Sequence, residues 1–293
     1  MATKKAAVKA EEEKSLVSQE DPTASVPATF DFTEDAGAGY ENQTNADIAI
    51  PFLNVLQKGS PQIDAEDSPF KPGMLYNTVT EEAYKGSEGL TIVPVTTEHV
   101  FVEWVPRDNG GGFVGVYKPD SPVVAKAKAE SKKYGKYKTP AGNDLVETFQ
   151  LYAINADDPE DFFIIPLTST KIKPYKTWNT KVKKFNPRPF GINCKLPMFC
   201  HRVKVTTVKE VRGEFTSYTV DFNPLNPASE KDGTKYPAIW NSMIGTKHPA
   251  YTAAKEFLAA IQSGIARAAY ETSSQDVTES GNGATIDDEA APF

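Results

Sequence analysis

LTIVPVTTEHVFVEWV, residues 90–105, decides the fold. It is rich in β-branched and aromatic residues, and Val100, Val102 and Trp104 alternate, as a strand with one buried face requires. Working outward, DNGGG (108–112) is a flexible turn before FVGVYK. LVETFQLYAINA (145–156) and DFFIIPLTSTKI (161–172) read as two strands joined by the turn DDPE. CHRVKVTTVKEV and EFTSYTVDF flank RGE as a hairpin, with Tyr218, Val220 and Phe222 on one face. On the other side, ADIAIPFLNVLQKGSPQ gathers Ile48, Ile50, Phe52, Leu53, Val55 and Leu56, and Pro51 predicts a strand or turn running into a short helix. PVVAKAKAESKKYGKYK (122–138) predicts a basic helix ending near Gly135. Pro249 opens a second helix, reaching about Tyr270, with a stripe of Phe257, Leu258, Ile261 and Ile265.

The 293 residues suffice for one large domain or two small ones. Cys194 and Cys200, the two cysteines, exclude a disulfide-framework secreted module. No apolar run approaches the roughly 20 residues of a membrane span. The early lysines of MATKKAAVKAEEEK lack the apolar stretch of a signal peptide, so the expected location is the cytoplasm. Residues 1–45 carry few bulky aliphatics, and residues 271–293 are rich in Ser, Gly and acids. Both read as disordered acidic tails. The expected body, residues 46–270, is mainly β, a β-rich α+β fold.

Charge is distributed unevenly along this chain. Its formal net charge is -7, yet residues 126–212 hold 18 Lys+Arg against 8 Asp+Glu, net +10. Between Asp161 and Glu210 lie 48 residues with 11 Lys or Arg and no acid. An acidic chain with one strongly basic internal segment points to a polyanionic partner. Within that segment Lys171, Lys173, Lys176, Lys181, Lys183, Lys184, Arg188 and Lys195 alternate with Tyr175, Trp178, Phe185 and Phe190. Cations displace the counterions of phosphates, and aromatic faces accept unstacked bases of any identity. Pro174, Pro187 and Pro189 argue against a continuous helix, and an extended basic-aromatic backbone suits a single strand better than a duplex groove. The candidate nucleic-acid-binding residues are therefore Lys171, Lys173, Tyr175, Lys176, Trp178, Lys181, Lys183, Lys184, Phe185, Arg188 and Phe190. Phe162, Phe163 and Phe199 read as core.

The chain finishes TIDDEAAPF. Asp287, Asp288 and Glu289, followed by Pro292 and Phe293, make a compact docking peptide: a ring for a pocket and carboxylates for a partner's cations. This ending resembles the acidic tip of bacterial and bacteriophage single-stranded DNA-binding proteins. The body resembles phage-encoded proteins of that class at DIAIPFLNVLQKGSP (47–61), at LTSTKIKPYKTWN (167–179), and at RGEFTSYTV (212–220) with HPAYTAAKEFLAAIQSG (248–264). The resemblance implies an OB-like barrel with extra strands and a C-terminal helix. It implies single-stranded DNA as ligand during phage replication or recombination, in the host cytoplasm. It also implies that the tail recruits replication proteins such as a polymerase, helicase/primase or nuclease. The tip departs from the bacterial pattern at AAP, where a bulky aliphatic usually precedes proline.

No catalytic motif accompanies these features, and neither cofactor nor metal is expected. Cys194, Cys200 and His201 fall short of the four ligands of a structural zinc site, and read as two half-buried cysteines beside a strand with a neighbouring histidine. GGG at 110–112 lacks the Lys-Ser/Thr of a phosphate loop. The alternatives left open are a recombination annealing protein, a virion or scaffold interaction protein and a metal-dependent nuclease.

Overall fold

The computed structural model describes residues 38–39, 50–131, 135–266, 268 and 270, without the Arg212 side chain. Chain contacts divide it into two units, 1–43 and 44–293, and the fold below belongs to the second. The tails expected over 1–45 and 271–293 lie outside the described residues, except for Ala38 and Gly39.

In chain order the elements begin with β1 (Leu53–Val55), α1 (Pro61–Asp64), β2 (Leu75–Asn77), β3 (Ala83–Tyr84) and β4 (Leu90–Trp104). There follow β5 (Phe113–Tyr117), α2 (Pro122–Glu130), β6 (Tyr137–Lys138), β7 (Asp144–Asn155), β8 (Phe162–Thr168) and α3 (Ile172–Lys184). The chain continues through β9 (Val203–Arg212), β10 (Phe215–Pro224), β11 (Ser229–Lys231), β12 (Thr234–Tyr236), α4 (Ala238–Asn241) and α5 (Pro249–Gln262). The fold is β-rich, with antiparallel sheets and a few helices.

β4 is the axis of a seven-stranded sheet. It pairs β7 from Ile92↔Asn155 to Trp104↔Asp144. Its other edge is shared, Leu90–Ile92 lying against β9 and Phe101–Trp104 against β5. The far edge of β7 is divided likewise between β8 and β6. One end of the sheet therefore runs β10-β9-β4-β7-β8 and the other β5-β4-β7-β6. A register shift between Pro94 and Thr96 admits proline, which cannot donate to a ladder. The extra residue also changes the phase of the strand. Val93 before the shift, the unpaired Val95 within it, and Val100, Val102 and Trp104 after it bury in one cluster with Ala250, Ala254 and Phe257 of α5. Leu90 and Ile92 bury in a second cluster with Phe163, Val203, Val205, Val220 and Phe222. Each fully buried Val, Leu, Ile or Phe side chain among them contributes about 1.5–3 kcal/mol.

At the other end of the sheet, Glu103 is buried yet satisfied. It accepts hydrogen bonds from Tyr117 Oη (2.6 Å), Thr139 Oγ1 (2.8 Å) and Asn143 Nδ2 (2.8 Å). Burial alone would raise its pKa, but these three donors bring it below the ordinary carboxylate value. The carboxylate ties β5 and the 139–143 turn to β4. Close backbone approach explains Gly86: a Cβ there would sit 1.9 Å from Gly73 O and from Thr207 Oγ1, so only glycine lets this excursion reach β9.

Among the described residues the ladder does not close into a barrel: no strand pairing joins β8 to β10. Residues 50–57 bridge from one edge to the other by different means. Ile164 N–H donates to Pro51 O at 2.9 Å, beside a parallel bridge between Phe52 and Ile164. At the β10 edge the Gln57 carboxamide substitutes for a peptide unit. Its Nε2 donates to Tyr218 O and its Oε1 accepts from Tyr218 N–H, both at 2.9 Å. Ile50 in turn makes a parallel bridge with Ala268. Tyr270 packs between Phe52 (centroids 5.1 Å apart) and Phe113 (5.0 Å, stacked) and accepts a hydrogen bond from Gln150 Nε2.

The helices depart from expectation. α2 stops at Glu130 rather than near Gly135. α5 ends at Gln262, and its buried residues are Ala250, Ala254, Phe257 and Ala260; Leu258 and Ile261 are partly buried, and Ile265 is exposed. The largest correction is α3, a continuous helix across Ile172–Lys184, where the prolines argued against one. Pro174 falls in its first turn, where a missing N–H costs nothing. Pro187 acts only after the helix has ended. No helix among the described residues is long and apolar enough to cross a membrane.

Candidate nucleic-acid interface

α3 divides its residues by helical spacing. Tyr175, Trp178 and Val182, three and four residues apart, turn inward onto the second cluster. Tyr175 is 2% exposed and Trp178 7%. Tyr175 Oη donates to Thr97 Oγ1 at 2.7 Å, and burial raises its pKa. The Trp178 ring stacks on Phe222 with centroids 5.6 Å apart and planes 24° apart. Neither ring offers a face to a base without leaving the core, so the stacking role expected of Tyr175 and Trp178 does not fit their positions. Lys171 is also buried, at the start of the helix.

The outward face keeps the remaining cations. Lys173, Lys176, Lys181, Lys183 and Lys184 are all exposed, and Arg188 follows in the next loop. No ion pair among the described residues involves any of these six. Three of the lysines lie in the last turn, where they also favour the helix C-terminus. Lys176 Nζ lies 4.8 Å from the centroid of Phe149. The face is thus a row of positive charge without internal compensation.

Beyond the helix, Phe185 and Phe190 meet two rings that sequence reading missed, Tyr236 and Trp240. Phe190 is the hub: it stacks on Trp240 at 4.2 Å and 23°, on Tyr236 at 5.5 Å and 29°, and on Phe185 at 6.0 Å and 23°. All four rings are half-buried, and none belongs to a buried core cluster. Hydrogen bonds fix the supporting loop. Asn226 Nδ2 donates to Asn241 O (2.6 Å), Asn241 Nδ2 to Pro227 O (2.6 Å), and Ser242 Oγ to Ala238 O (2.8 Å). YPAIW (236–240) was the available signal, but its two rings sit in a polar stretch without periodicity.

The cysteines differ from expectation. Cys194 is exposed, whereas Cys200 is buried in a single helical turn and burial pushes its thiol up to about 12. His201 is 3% exposed, and burial lowers its pKa to about 4. No cluster of three or more His, Cys, Asp or Glu side chains fit for a metal occurs among the described residues. Phe163 and Phe199 are core, and Phe162 packs at its margin. Asp287, Asp288, Glu289, Pro292 and Phe293 lie outside the described residues.

The antiparallel β body thus carries a cationic helix face, and the chain runs from it directly into a half-buried aromatic stack. Comparison with known families matches residues 17–267 to the family described as Pam3 phage gp34-like protein. That is well over half of the chain, which therefore belongs to this phage protein family. No curated protein and no solved structure matches it.

Proposed function

We propose that this protein binds single-stranded DNA without strong sequence preference during phage replication or recombination, as a binding protein and not an enzyme. The observation that carries the reading is the uncompensated cationic face of α3, continuous along the chain with half-buried aromatic rings that lie outside the core clusters. Because the cations sit on a helix, charge alone suits a duplex groove as well as a single strand. The rings tip the balance, since only unpaired bases have free faces to stack. An open, OB-like arrangement around β4 is part of this reading, supported by the long shared central strand and by residues 50–57 spanning the gap between sheet edges. The acidic tip recruits replication proteins.

Fluorescence anisotropy with matched single-stranded and duplex oligonucleotides across a salt series tests the proposal. Six phosphate contacts predict a log–log slope of roughly -4 on single strands, and Lys181→Ala, Lys183→Ala and Lys184→Ala together should reduce it by about 2. Duplex preference, or no binding at low salt, overturns the reading.

A further inference from the structure

We propose that Trp240, supported by Tyr236, Phe185 and Phe190, is a stacking platform for an unpaired nucleobase. The inference rests on the single-strand reading and locates its base contact at residues quite different from the buried Tyr175 and Trp178. Four rings drawn from two segments some fifty residues apart meet at the surface, outside every buried cluster. Their planes lie within 29° of Phe190, so the group is a stack and not an edge-to-face core packing. A stack with a partly exposed end extends by adding one more flat ring.

The occupant follows from the surrounding charge. Lys184 precedes Phe185, Arg188 lies between Phe185 and Phe190, and Lys235 precedes Tyr236; all three cations are exposed. A flat ligand linked to phosphates satisfies rings and cations together, and a nucleotide within a single strand is that ligand. A base inside a duplex has both faces covered and cannot use the platform. The asparagine bonds around α4 hold Trp240 in place before the strand arrives, so little ordering opposes binding.

Tryptophan emission gives the test a readout that packing alone would not move. The chain has three tryptophans, of which Trp104 and Trp178 are buried. The full chain is titrated at low salt with oligo(dT) and with an abasic strand of equal length, following strand anisotropy and tryptophan emission together. The wild type is expected to lose emission on oligo(dT) and not on the abasic strand. Trp240→Phe should lose the quench and bind oligo(dT) more tightly than Trp240→Leu, which should bind about 5- to 150-fold more weakly than the wild type. Survival of the quench in Trp240→Phe overturns the platform, as does unchanged affinity in a folded Trp240→Leu. In either case the single-strand reading stands if anisotropy still reports binding. A wild type that binds neither strand overturns both.

Discussion

Replacing Trp178 with alanine separates a core ring from a ligand contact. The side chain is 7% exposed and packs on Phe222 and Tyr175. About 200 Å² of buried aromatic surface at ~25 cal/mol/Å² corresponds to ~5 kcal/mol of transfer free energy, of which alanine retains a part. Large-to-small replacement of a buried aromatic costs about 3–5 kcal/mol once the residual cavity is included. For a body of this size each kcal/mol lowers Tm by about 2–4 °C, so the midpoint should fall by roughly 6–20 °C. Urea unfolding followed by circular dichroism gives the free energy, and anisotropy measured well below the midpoint gives affinity for a single strand. The expected result is a large loss of stability with affinity changed less than twofold. A variant of wild-type stability that binds DNA at least fivefold more weakly would refute the burial argument and return Trp178 to the ligand surface.

Gln57→Leu should cost about 1–3 kcal/mol in urea unfolding, because it strands Tyr218 N–H and C=O at the β10 edge; faster hydrogen exchange at Tyr218 checks the cause. His201 predicts an acid weakness. Its folded pKa of about 4 lies below the unfolded 6.5, so between these values the unfolded chain holds a proton that the folded one refuses. The His201 contribution is constant above pH 6.5 and falls by roughly 3 kcal/mol on acidification to pH 4, and His201→Asn should remove that part of the slope in denaturation curves across the window. Removing residues 285–293, whose carboxylates compete with a strand for the cationic face, should preserve or raise strand affinity while abolishing capture of replication proteins in pulldowns; a drop in affinity would contradict that competition.

The β body was readable because its signals are local. β4, β7, β8 and the β9–β10 hairpin follow runs rich in branched and aromatic residues bounded by turn residues, and their observed limits fall within a few positions of the expected ones. In α3 the prolines conceal a helix that the spacing supports. Tyr175, Trp178 and Val182 already marked a helical face, and Pro174 stood where a helix tolerates it. The expected base contacts shift with it, since an extended segment exposes both sides of its backbone and a packed helix exposes one. Trp240 and Gln57 were unreadable for another reason. The partner of Trp240 is Phe190, fifty positions earlier, and Gln57 reaches Tyr218, 161 positions later. No window of sequence holds either pair.

The bridge between Ile50 and Ala268 has a use in protein engineering. Where two backbone segments so distant in sequence run side by side, a short linker can replace the covalent order of the gene. A circular permutant fused across this seam needs new termini elsewhere. The Gly110–Gly112 loop suits them, since it leaves open space around each glycine and lies between β4 and β5 without interrupting either. Such a permutant moves any fused reporter from the Ile50–Ala268 seam to the β4–β5 turn while keeping every strand of the sheet intact.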